Sequence, residues 1–79
     1  MKIYLEQKRL DNAIGYLQKS IELSEKKDHL EVKGKGLKSL SKAYDIIGDH
    51  DKALLIYKMY VENVDVLHKE KEAKILENL

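Results

Sequence analysis

Apolar side chains return every three or four positions along most of this chain, and the runs of that pattern predict its helices. Leu10, Ala13, Ile14, Leu17 and Ile21, flanked by Tyr16, mark a helix over 11–26 lying on a core. Lys27, Asp28 and His29 interrupt the stripe. A second helix is predicted from about Leu30, carrying Leu37, Leu40, Ala43, Tyr44, Ile46 and Ile47 on one side. Gly34 and Gly36 each cost about 1 kcal/mol against Ala inside a helix, so either that helix starts later or a close neighbour needs the missing side chains. Gly48 followed by Asp49 marks a helix that ends in the left-handed conformation and a new one capped by the acid, so a tight hairpin is expected there. Ala53, Leu54, Ile56, Tyr57, Tyr60, Val61 and Val64 form a third stripe, with Asp49 and Asp51 at the positive end of its dipole. A short break is predicted at Asp65, then a final helix over 66–79 through Val66, Leu67, Ile75, Leu76 and Leu79.

The first and third stripes are related. At a shift of forty residues Lys2, Tyr4, Asp11, Ala13 and Glu22 fall on Lys42, Tyr44, Asp51, Ala53 and Glu62, and Ile14, Leu17 and Ile21 fall on Leu54, Tyr57 and Val61. A period of this size signals stacked helix pairs, which make binding surfaces more often than reaction pockets. With 79 residues, 43% hydrophobic, 37% charged and no Pro, the chain fits one small helical domain with little core to spare. A formal charge of +1 gives no general reason to expect nucleic acid or an anionic membrane as partner. The longest purely apolar run, 53–57, falls far short of the roughly 20 residues needed to span a bilayer, and the N-terminus lacks the apolar core of a signal peptide. The absence of Cys removes disulfides and thiolate metal sites, which suits a cytoplasmic location.

Leu37, Leu40, Ser41, Tyr44, Ala53 and Tyr57 stand at the spacings of a tetratricopeptide repeat, so the stretch 34–65 resembles that family. Tyr4, Ala13 and Leu17 hold the matching places in the first copy. The resemblance implies an all-α fold of antiparallel helix-hairpin repeats, a fragment of a tetratricopeptide-like α-solenoid. One domain over 1–79 is expected, with a partial first repeat over 1–29, a second repeat over 30–65 and an exit or capping helix over 66–79. Two features depart from the family pattern: the period is forty and not thirty-four, and Asp65 replaces the terminal Pro. The first helix of the first repeat is also expected to have lost most of its length. Independently of the name, Ala53 belongs where two helices cross closely, with Leu40, Tyr44 and Tyr57 around it. The text from Tyr57 onward is similar to the last repeat and exit helix of bacterial sensor regions, which implies a piece of a larger signalling protein.

By analogy with that family, the partner-binding face includes Lys35, Lys38, Lys42 and Asp45. The three lysines are spaced three and four apart and share a helix face, able to accept an acidic protein or peptide segment. The same face also fits ordinary solvation, with Glu31 and Lys35 as an i,i+4 pair. His29, His50 and His68 show no metal-ligand spacing, and no Ser lies in a glycine-bracketed elbow or beside an obvious base, so no metal, cofactor or catalytic residue is assigned. Tyr4, Tyr44, Tyr57 and Tyr60 are expected in the core and Tyr16 partly outside. The chain is therefore read as a non-enzymatic protein-binding scaffold, with a homo-oligomer expected through an open repeat end. The alternative is a structural self-association module that dimerises through such an end and takes no peptide.

Overall fold

A computed structural model describes the backbone of residues 2–77 and the side chains of 6–75. Three helices follow one another: α1 (Lys2–Lys26), α2 (Leu30–Ile46) and α3 (His50–Glu77). The protein is all-α, and no strand occurs among the described residues. Helix α2 packs on α1 along one side and on α3 along another, while α1 and α3 do not meet among the described residues. The result is a row of three helices, 59 × 22 × 16 Å overall.

The two turns share one construction. At the first, the Asp28 amide donates to the Glu25 carbonyl at 3.3 Å and the His29 amide to Ser24 at 2.9 Å. At the second, Gly48 donates to Asp45 at 3.1 Å and Asp49 to Tyr44 at 2.9 Å. This is the paired 5→2 and 6→1 closure of a Schellman end, which needs a left-handed residue at its centre. Gly48 supplies it with φ +89°, and Asp28 takes the same place at φ +56°. Asp49 then caps α3, its Oδ1 accepting from the Lys52 amide at 3.3 Å. A side chain in the left-handed region is strained where glycine is not. Asp28→Gly is therefore expected to stabilise the protein by about 0.5–1 kcal/mol, read as a Tm higher by a few degrees. An unchanged or lower Tm would show that Asp28 carries no strain.

The core centres on α2. Leu37 is 1% exposed and Leu40, Ala43 and Tyr44 are buried beside it, meeting Ile14 and Ile21 of α1 and Ala53 of α3. Both glycines of α2 sit at close approaches, on opposite flanks. A Cβ on Gly36 would lie 2.8 Å from Cγ1 of Ile21, and one on Gly34 would lie 2.8 Å from Nδ2 of Asn63. Of the two explanations for these glycines, close packing holds, and α2 starts at Leu30 as expected.

Five expectations fail. The helix foreseen over 11–26 begins at Lys2 and runs unbroken, so the first copy of the repeat contains no hairpin. The reason lies in the turn chemistry: where the second copy has Gly48 and Asp49, the first has Lys8 and Arg9, with neither the glycine nor the acidic cap. Ala13 accordingly faces solvent, whereas Ala53 is 8% exposed. The break at Asp65 is also absent, so 66–77 continues α3 and is no separate exit helix. No Gly or Pro falls within α3, and Asp65 is held in the helix by Lys69 four residues on, at 3.1 Å. Tyr57 stands half exposed, and Ile46 points outward at 69% exposure. Tyr16 is exposed and Tyr44 buried as foreseen, while Tyr60 packs partly buried against the core. Tyr4, Leu76 and Leu79 lie outside the residues whose side chains are described.

Candidate functional site

A long groove runs between α2 and α3, and its walls follow from helical spacing. On α3, Ala53, Ile56, Tyr60, Asn63 and Leu67 recur at three- and four-residue steps and face α2. Two buried side chains bind the helices together there. Ser41 Oγ donates to the Ala53 carbonyl at 2.9 Å, and Asn63 Nδ2 donates to the Leu30 carbonyl at 2.8 Å. Gly34 leaves the room that the Asn63 amide occupies. Asn63 escaped the sequence reading because a lone Asn in a helix carries no burial signal; its place on the 56, 60, 63, 67 stripe was the available clue.

The predicted binding residues line this groove in two groups. Lys35 and Lys38 edge its first half, over a floor that includes Tyr60, Val64 and Leu67. Lys42 and Asp45 edge the second half, beside His50, Leu54 and Tyr57. All four are exposed, so the structure places them along one open face of α2. They differ in their engagements. Lys38 Nζ stands 6.0 Å from the centre of the Tyr60 ring, at the edge of cation–π range. Asp45 accepts from His50 Nδ1 at 2.7 Å, which ties it to the turn. Glu31 does not pair with Lys35; its carboxylate lies 3.8 Å from Lys71 of α3. Among the described residues Lys35, Lys38 and Lys42 enter no ion pair, and they give the rim a local positive charge that the net charge of +1 conceals.

From the groove wall outward, α3 is apolar. Leu54, Tyr57, Val61 and Val64 lie between 44% and 58% exposed and share one face, on which Leu54, Tyr57 and Val64 also line the groove and Val61 does not. Elsewhere the polar groups make local contacts: Gln18 Nε2 donates to the Tyr44 hydroxyl at 3.1 Å, Lys52 covers the Tyr44 ring, and His68 meets Glu72 at 3.1 Å. Among the described residues no three His, Cys, Asp or Glu gather in a metal-binding group, and no helix is long and apolar enough to cross a membrane. What the site offers chemically is a basic edge, an apolar floor and an open length of about two to three helical turns. Comparison of the chain with protein-family models, curated proteins and solved structures finds no match.

Proposed function

We propose that this protein is a non-enzymatic interaction scaffold of tetratricopeptide-like design that holds an acidic segment of a protein partner in the α2–α3 groove. In this reading it is part of a larger bacterial signalling or regulatory protein in the cytoplasm. The observation that carries the proposal is the strip of Lys35, Lys38 and Lys42, without ion-pair partners among the described residues, beside the apolar Tyr60, Val64 and Leu67. Cations so placed steer and orient an anionic partner, and the apolar floor supplies the contact area that holds it. The repeat-like part of the reading is supported by α2, its Gly48 turn and α3, with Ala53 buried at the crossing. The unbroken α1 limits it to a single hairpin.

The test is a titration with peptides of Leu and Glu at helical spacing, against matched peptides of Leu and Lys. The acidic series is expected to bind, shifting the NMR signals of α2, and Lys38→Glu with Lys42→Glu is expected to weaken it by roughly tenfold or more. Equal binding of both series, or indifference to the charge reversals, would remove the proposal.

Self-association remains the second reading because Tyr16, at 78% exposure, and Leu23 stand together on the outer face of α1. Sedimentation at increasing concentration distinguishes it: a dimer that persists without any peptide places an apolar seam between copies of the chain.

A further inference from the structure

The exposed flank of α3 has a buried twin. Forty residues earlier, Leu54, Tyr57, Val61 and Val64 correspond to Ile14, Leu17, Ile21 and Ser24. These are residues with which α1 seats α2: Ile14 and Ile21 are 8% and 7% exposed, Ser24 is 5% exposed, and Leu17 packs partly buried against the core. The same stripe is therefore written twice, filled once and left open once. The other large exposed apolar residues of α3 among those described, Leu55, Met59, Val66 and Ile75, have Gly15, Lys19, Lys26 and Lys35 as counterparts, and those seat nothing. The repeat thus singles out one flank.

Resting on the groove reading above, we infer that the Leu54, Tyr57, Val61 and Val64 stripe seats an amphipathic helix of a protein partner, built like α2, with a small residue against Val61 and an acidic polar face. The small residue follows from the filled copy, where Ile21 approaches so closely that a Cβ on Gly36 would come within 2.8 Å of it. The acidic face follows from Lys35, Lys38 and Lys42, which edge the adjoining groove while Asp45 is engaged by His50. Charge also decides between a foreign helix and a second copy. A two-fold pairing with antiparallel α3 helices brings the two α2 rims together and sets this lysine strip against itself, which favours an acidic partner over a second copy so arranged.

The probe is a synthetic helix with the sequence of Leu30–Ile46, stapled between positions 32 and 39 on its polar face and carrying Lys35→Glu, Lys38→Glu and Lys42→Glu. Its binding to the 79-residue protein is followed by fluorescence anisotropy. Saturable binding is expected, reduced roughly tenfold or more by Val61→Asp or Leu54→Asp in the protein and by Gly36→Leu in the probe. Both protein positions are about half exposed, and circular dichroism verifies that each variant keeps its helices. Binding that survives Val61→Asp, the position outside the groove lining, and Gly36→Leu but falls with Lys38→Glu and Lys42→Glu in the protein would overturn the seated helix and leave the groove reading intact. Binding of a Leu and Glu peptide broken by proline, with none of the stapled probe, would do the same. If neither acidic ligand binds, both readings fall. A dimer that Val61→Asp dissolves would assign the stripe to a second copy and overturn the inference.

Discussion

Leu37→Ala is expected to lower stability by about 2–5 kcal/mol and Tm by about 10 °C or more, leaving much of the protein unfolded at 37 °C. Among the described residues Leu37 is the most completely buried large side chain, at 1% exposure, on the helix that contacts both others. Truncation removes the transfer free energy of three carbons and leaves a cavity that α1 and α3 can close only by moving toward each other across α2. The margin is small. A domain of this length carries about 4–12 kcal/mol in total, and one built as a single row has less buried surface than a closed bundle. Thermal unfolding followed by circular dichroism at 222 nm measures the loss. A Tm within about 2 °C of the parent would mean that the row is held elsewhere than at Leu37.

Gly36→Ala is expected to destabilise by about 1–3 kcal/mol, although alanine is the better helix former by about 1 kcal/mol. The added Cβ would stand 2.8 Å from Cγ1 of Ile21, an atom close to the backbone of a stiff β-branched side chain, so α1 itself must move. Combining it with Ile21→Ala separates propensity from collision. If collision dominates, Gly36→Ala costs little or becomes favourable once the Ile21 side chain is gone, and the cycle shows a coupling of about 1 kcal/mol or more. If the two changes simply add, the glycine is not there to admit Ile21. Gly34 poses a milder case, because the obstructing atom is the end of the Asn63 amide, which can swing away at the loss of its bond to Leu30.

These contrasts show which physical signals can be read from the chain. The two turns were legible because Lys27 to His29 interrupts the apolar period and Gly48 with Asp49 carries explicit turn chemistry. The left-handed Asp28 was not, since Asp at that place also fits an ordinary polar loop. Repeat matching located the Ala53 crossing but misled at the first copy, because similarity at Tyr4 and Ala13 outweighed the missing glycine at Lys8. Asp65 was taken as a helix end because the repeat pattern has its terminal Pro there; with Asp in that place nothing breaks the helix, and an exposed i,i+4 pair with Lys69 fits its continuation. At the candidate site the lysine spacing placed Lys35, Lys38 and Lys42 on one face, since helical geometry alone fixes that. It could not show that Asp45 turns to His50 and Glu31 reaches toward Lys71, because those engagements depend on how α3 lies against α2.

That α1 and α3, among the described residues, touch only α2 gives the molecule the mechanics of three planks glued edge to edge. Such an assembly has two seams in series and no cross-brace, so its resistance to bending resides in whichever seam is weaker. An object pressed along the free edge of α3 can tilt α2, and α1 must then follow as a lever, with no direct strut to α3 to hold it back.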